Sequence, residues 1–457
     1  MDMTIDASRV EEILAGAAGA SDAELDEILD RAEGFKGLSP RDVAALLTMD
    51  SASHMERMFR IAGRIKEEIY GSRIVLFAPL YVSDYCVNKC AYCGYSCNNE
   101  FTRRRLTMDE IRGEAEILER MGHKRLAIEA GEDPVNCPID YILDTIKTLY
   151  DMKVGTGEIR RVNINIAATT DENYRKLHDV GIGTYILFQE TYHEPTYRRT
   201  HKAGPKSNFN YHLTAFDRAM RSGIDDVGAG VLFGLHDWRF EVLGLMLHNR
   251  HLDENYGAGF HTISMPRLCK AEGMDMSDYE LLSDEDFKRV VATVRIAVPY
   301  TGMIISTRES AAMRKELIRL GISQVSGGSS VEVGGYASRI EGGEQFTVAD
   351  NRPAIDVIRW LMDEQLVPSF CTACYRKGRT GDRFMSLAKS GNIKNVCLPN
   401  ALMTLCEYMM DYGDDDFRKQ ADALIGKNIP KIANEKMREL TTENIKKIKL
   451  GERDLFV

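Results

Sequence analysis

Between Ile74 and Ser326 the chain repeats one unit: a short β-rich run, a turn, then a segment with helical spacing. The predicted strands are Ile74–Val82, Arg125–Glu129, Arg161–Ile166, Thr184–Glu190, Asp226–Phe233, His261–Met265, Gly302–Thr307 and Ser323–Ser326. Segments such as Thr107–Met121, Asp171–Asp179, Asn210–Arg221, Phe240–Asn255, Asp284–Ala297 and Ala311–Leu320 separate them, each with the periodicity of one buried helix face. Strands joined through helices pair in parallel. Eight such units predict an α/β fold, a closed (β/α)8 TIM-type barrel; a doubly wound open sheet is the alternative that periodicity leaves open. In such a barrel the chemistry collects at the C-terminal strand ends.

Three regions follow from this frame: a helical cover over 1–72, the barrel over 73–330, and a mostly α-helical C-terminal extension over 331–457. Ser21 with Glu24, Ser39 with Asp42 and Thr107 with Glu110 have capping-box spacing, and Pro40 stands where a first helical residue belongs. Hydrophobic content of 44% is enough for a large core. A net charge of −10 argues against a nucleic-acid partner, which needs a basic face. The start, Met1 to Asp6, is acidic and lacks the basic and apolar regions of a secretory leader. No apolar run approaches the ~20 residues that span a bilayer, so no membrane partner is expected. The expected setting is cytoplasmic, where ten cysteines read as metal or redox chemistry.

The loop after the first predicted strand carries Cys86, Cys90 and Cys93, a C-x3-C-x2-C triad. Three thiolates this close can hold three irons of a cubane cluster and leave the fourth open for a chelating cofactor. One helix face is the bland reading of this i, i+4, i+7 spacing, but Asn88, Lys89 and Gly94 suit it poorly. Zinc, with Cys97 as fourth ligand, is not excluded by spacing. Three more strand ends are polar: Gly131-Glu132-Asp133-Pro134, Gln189-Glu190-Thr191 and Ser306-Thr307-Arg308-Glu309. Each alone reads as a turn or helix cap; together on one rim they favour a shared polar cavity.

A second constellation, Cys371 and Cys374 with Cys397, has C-x2-C-x22-C spacing. A close pair and a third thiol returned by a helix make a three-ligand site, read here as an iron–sulfur cluster. Zinc with Cys406 as fourth ligand, or a redox dithiol, remain open. Cys137, Cys269 and Cys406 otherwise read as small buried hydrophobes. Lys427–Val457 reads as a solvated helix face.

The triad with Tyr92 before its last cysteine resembles the radical S-adenosylmethionine (SAM) superfamily. That resemblance implies a 4Fe-4S cluster whose open iron chelates SAM, which is cleaved to methionine and a 5′-deoxyadenosyl radical. Gly131-Glu132 is similar to the motif for the SAM amino group, and Tyr92 to the aromatic beside the adenine. Arg218 and Glu190 are implied partners of the SAM carboxylate and ribose. Arg308, with Ser306 beside it, is implied as the clamp on a substrate carboxylate, for which a forked guanidinium is suited.

The run Cys371-Thr372-Ala373-Cys374-Tyr375-Arg376-Lys377-Gly378-Arg379-Thr380-Gly381, the cysteine tail, and Gly131 to Pro138 resemble the tyrosine-lyase maturases of FeFe-hydrogenase, from roughly residue 75 to 415. This implies that L-tyrosine is cleaved at Cα–Cβ to p-cresol and dehydroglycine. It further implies an auxiliary 4Fe-4S cluster on Cys371, Cys374 and Cys397, where dehydroglycine becomes carbon monoxide and cyanide on an extra iron bridged by a free cysteine. His261 is matched to the histidine on that iron; it starts the sixth predicted strand and so faces the mouth opposite the triad, with a channel between. A reductant such as a flavodoxin or ferredoxin and other hydrogenase maturation proteins are the implied partners. Two rival functions are a 2-iminoacetate synthase of the thiamine type and a non-catalytic iron–sulfur carrier.

Overall fold

The computed structural model describes residues 2–155, 157–269, 279, 281–338 and 344–457. Residues 339–343, in the C-terminal extension expected over 331–457, lie outside the described residues. Eight parallel strands close on themselves: β1 (Arg73–Ser83), β2 (Arg125–Ala130), β3 (Arg161–Asn165), β4 (Tyr185–Glu190), β5 (Val227–Val231), β6 (Thr262–Ser264), β7 (Gly302–Ile305) and β8 (Gln324–Ser326). β1 pairs with both β2 and β8, so the sheet is a barrel and the open-sheet alternative falls. All eight predicted runs are strands, most of them shorter by one or two residues at an end.

A ninth strand, β9 (Val367–Ser369), was not foreseen. It pairs in parallel with Arg73 to Val75 at the start of β1. Its three residues include Pro368, which cannot donate to a ladder and is tolerated at a sheet edge. This pairing turns the chain at Cys371 toward the N-terminal mouth of the barrel.

The helices obey their caps. Thr107 and Ser39 form reciprocal capping boxes with Glu110 and Asp42, and Pro40 opens its helix. Ser21 accepts from the Glu24 amide only. The predicted helix over Asn210–Arg221 is broken in two, Phe209–Leu213 and Ala215–Arg221. At the break Thr214 turns its hydroxyl back onto the Asn210 carbonyl at 2.8 Å, a bond that competes with helix continuation. The N-terminal helices cover the barrel's outer layer: Arg239 and Arg289 donate to the Leu47 and Leu46 carbonyls at the end of the Pro40–Thr48 helix. Among the described residues no helix is long and apolar enough to cross a membrane.

Candidate functional site: two thiol clusters at opposite mouths of one barrel

Cys86, Cys90 and Cys93 follow β1 at the C-terminal mouth and line one cavity with Gly131, Glu132, Glu190 and Arg308. None of the three is in a disulfide. Burial pushes Cys93 up to about 11 and Cys90 higher still, so these thiols are protonated until a metal takes the proton's place. Among the described residues no three such donors close on a single-ion site; the thiols ring a larger space. Cys97 is exposed and is not among the cavity residues, which weakens the four-ligand zinc reading.

The cysteine loop is seated on β2. Val87 N–H donates to the Glu132 carbonyl at 2.8 Å, and a Cβ at Gly131 would stand 2.3 Å from the Tyr85 carbonyl oxygen. Only glycine permits that approach. Asn88 donates from Nδ2 to Glu132 Oε2 at 2.6 Å and accepts at Oδ1 from the Lys206 amide at 2.9 Å. Burial raises the Glu132 carboxyl, an effect that Asn88 and Lys206 oppose. Glu190 ends β4 in the left-handed region, φ 68°, where the register slips. A non-glycine residue held there marks a local constraint. Its Oε1 accepts from Lys206 Nζ at 2.8 Å. Tyr92 packs in the same wall with its hydroxyl 2.7 Å from His201 Nε2.

Arg218 does not reach this cavity. Its guanidinium is spent on the Thr169 carbonyl at 3.0 Å, Thr214 Oγ1 at 2.8 Å and the Tyr211 carbonyl at 2.7 Å, and it lies over the Tyr211 ring. The expected SAM-carboxylate role is therefore corrected. Lys206, from the turn after Gly204, lines the space instead, as Arg308 also does.

Below lies an inner cavity bounded by Tyr81, Glu129, Asn165, Phe188, Ser306 and Arg308. Glu129, Asn165, Phe188, Arg308 and Gln345 border both spaces. Arg308 lies on Phe346, 3.5 Å from the ring centroid, and its amide donates to Ser306 Oγ at 3.3 Å.

Cys371, Cys374 and Cys397 line a cavity at the N-terminal mouth with Arg73, Arg125, Arg161 and His261. The three arginines open β1, β2 and β3, so each strand begins by aiming a guanidinium inward. Arg125 donates to the Cys371 carbonyl at 2.8 Å, while Arg161 is bound to Asn163 and Thr184. Asp226 is the buried carboxylate beside them, held by Tyr375 and 3.9 Å from Arg161. Arg73 Nε and Arg125 Nε are buried without a hydrogen-bond partner among the described residues, and His261 Nδ1 forms no hydrogen bond but stands 3.5 Å from the Asp226 carboxylate. Such donors are costly unless an anionic group completes the site. An iron–sulfur cluster on three thiolates is such a group, and the donor set fits it. Burial, then Arg161, Arg125 and Arg73, holds the His261 imidazole far below its usual range, leaving a neutral ring with a free lone pair. Cys406 packs in the core, away from this cavity.

Residues 80–243 match the Radical SAM superfamily model, and 264–367 match the Biotin and Thiamin Synthesis associated domain. A radical SAM domain works with a 4Fe-4S cluster and SAM, and these are this chain's cofactors. The chain is 30% identical to the 2-iminoacetate synthase of Escherichia coli K12 over 74% of this chain and 89% of that one. It is 54% identical to the crystal structure of HydG, a maturase of the FeFe-hydrogenase, with a TM-score of 0.96 over 98% of this chain and 99% of that one. The HydG of Carboxydothermus hydrogenoformans aligns at 37% identity and a TM-score of 0.85, covering 96% and 97% of the two chains. With both thiol clusters and the closed barrel in view, the chain belongs to the radical SAM family that holds the 2-iminoacetate synthases and the HydG maturases.

Proposed function

We propose that this chain is a radical SAM tyrosine lyase that cleaves the Cα–Cβ bond of L-tyrosine to p-cresol and dehydroglycine, and converts dehydroglycine to carbon monoxide and cyanide for FeFe-hydrogenase assembly. The observation that carries it is the pair of three-thiol cavities at opposite mouths of one barrel. When bound, an upper cluster with SAM would supply the radical chemistry of the cleavage, and a lower, auxiliary cluster with a free cysteine would supply the iron chemistry of the second conversion.

The chain's own residues do the rest. Cys86, Cys90 and Cys93 hold the first cluster, and Cys371, Cys374 and Cys397 hold the second. Gly131 keeps the cysteine loop against β2, Glu132 receives the SAM amino group, and Glu190 with Lys206 serves its polar remainder. Tyr92, fixed by His201, walls the adenine side. Arg308 and Ser306 take the carboxylate of tyrosine in the inner cavity, where the barrel excludes water from a reactive intermediate. The fragment passes down the barrel interior to the arginine-lined mouth, where His261 offers its lone pair to the extra iron. The region boundaries proposed are 1–72, 73–330 and 331–457, in a cytoplasmic protein served by a flavodoxin or ferredoxin and by other maturation proteins.

A 2-iminoacetate synthase with structural C-terminal cysteines is the second reading, favoured by the 30% relative. The unpartnered buried donors around Cys371 and His261 weigh against it, because a purely structural mouth would leave them unsatisfied. A carrier that never turns over has no use for the inner cavity. Iron and sulfide analysis of the reconstituted protein separates the proposal from the synthase reading, and cleavage of SAM by the same protein separates it from a carrier. Two clusters' worth of iron, halved in Cys374→Ala, supports the proposal; one cluster's worth, unchanged in that variant, overturns it.

A further inference from the structure

The inner cavity holds a carboxylate that neither the cluster sites nor the SAM pocket uses. Glu129 lies in one register row with Tyr81 of β1 and Asn165 of β3, and all three line the inner cavity. It also borders the SAM cavity, as does Arg308. Its Oε2 accepts from Asn165 Nδ2 at 2.6 Å, which leaves Oε1 for another donor. Arg308 stacks on Phe346, and its guanidinium has no carboxylate partner among the described residues. One unpaired cation and one acid thus share the wall between the two spaces, which is the recognition pattern of an amino-acid zwitterion.

We propose that Glu129 binds the α-ammonium of the substrate and takes one proton from it before a hydrogen atom is removed. This rests on the tyrosine reading above. The proton passes from nitrogen to Glu129 Oε1, and the N–H bonding pair stays on nitrogen as the amine lone pair. Losing a hydrogen atom from an ammonium would leave an aminium radical that still carries a positive charge in an enclosed site, whereas loss from a neutral amine leaves an uncharged aminyl radical. Enclosure itself drives the transfer, since burial disfavours the charged form of both acid and amine, and the neutral pair outcompetes the ion pair. Burial already lifts the Glu129 carboxyl to about 8, against the Asn165 bond and Arg308, which pull it down. The titratable and charged groups around it are Tyr81 and Arg308 in the inner cavity and Glu132, Glu190, Lys206, Tyr92, Tyr95 and the thiols of Cys86, Cys90 and Cys93 in the upper one.

The test uses the reconstituted holoenzyme and its Glu129→Gln and Glu129→Asp variants. Binding of L-tyrosine is compared by calorimetry with 3-(4-hydroxyphenyl)propionate, which lacks only the amine. Wild type should prefer tyrosine by about tenfold or more, and Glu129→Gln should erase most of that preference with SAM binding intact. Glu129→Gln should slow p-cresol formation by about 100-fold, with Glu129→Asp between the two. In wild type kcat/KM should fall below pH 8 as Glu129 gains a proton; in Glu129→Gln that limb should move up to follow the substrate's own amine. Preference and pH profile unchanged in Glu129→Gln would overturn the assignment of Glu129 alone. Wild type that binds neither compound would overturn it together with the tyrosine reading.

Discussion

Lys206 Nζ stands 2.8 Å from Glu190 Oε1, and both side chains are largely withdrawn from bulk solvent in the wall of the SAM cavity. The pair joins the loop after Gly204 to the end of β4, while the Lys206 amide ties the same loop to Asn88 and so to the cysteine triad. One cation therefore links three of the elements that frame the upper site.

Replacing Lys206 by Met should leave Glu190 buried without its partner and cost about 3 kcal/mol in folding stability. SAM affinity should fall with it. Adding Glu190→Gln to that variant should restore part of the stability, because the unpaired charge is then gone. Urea denaturation of the three proteins checks this; equal midpoints for wild type and Lys206→Met would show the pair to be idle.

Gly131→Ala should fail at close range. Its Cβ would press on the Tyr85 carbonyl oxygen, backbone that cannot swing aside, so the cysteine loop must shift. The expected loss is about 1–3 kcal/mol of stability together with poor cluster loading. Absorbance of the reconstituted variant reports the loading.

The two cysteine sites should separate by product. Cys90→Ala should abolish SAM cleavage and everything after it. Cys374→Ala should still release p-cresol but no carbon monoxide, and His261→Ala should lower retention of the extra iron more than SAM cleavage. Loss of p-cresol in a well-folded Cys374→Ala protein would contradict this division.

Acid should weaken the fold through histidines that are neutral when buried. Burial holds His123 at about 4, with Nε2 donating to the Gly327 carbonyl at 3.1 Å, and His212 and His248 at about 3. Folded values lie below the ordinary 6.5, so the unfolded chain binds more protons between them. Stability is thus full above 6.5 and declines as pH falls toward 4, by up to about 3 kcal/mol for His123. His123→Gln, which keeps a donor for Gly327, should show a shallower decline between pH 7 and 5 in urea titrations.

Most of the barrel was legible because strand and helix periods alternate cleanly from Ile74 to Ser326. The two cysteine motifs were legible because metal ligands need fixed spacing. β9 was hidden by its length and by Pro368, and the break at Thr214 by a side-chain bond that no periodicity reports. Arg218 was misplaced because helical position alone does not say which carbonyls lie within reach; its actual acceptors come from Thr169 and Tyr211. Lys206 and Asn88 carried no spacing signal, since their partners are distant in sequence. A signal for the lower mouth was present: Arg73, Arg125 and Arg161 each stand at a strand start, where a charge inside a barrel needs a reason. Glu129 was passed over as the closing residue of a strand, and its row with Tyr81 and Asn165 emerges only from the register.

The most direct test of two linked sites in one barrel is an anaerobic assay of the reduced, reconstituted protein with SAM and L-tyrosine, quantifying p-cresol and carbon monoxide in the same vessel. Both products should appear, with carbon monoxide trailing p-cresol and never exceeding it. P-cresol without carbon monoxide from protein loaded at both cysteine sites would contradict the account.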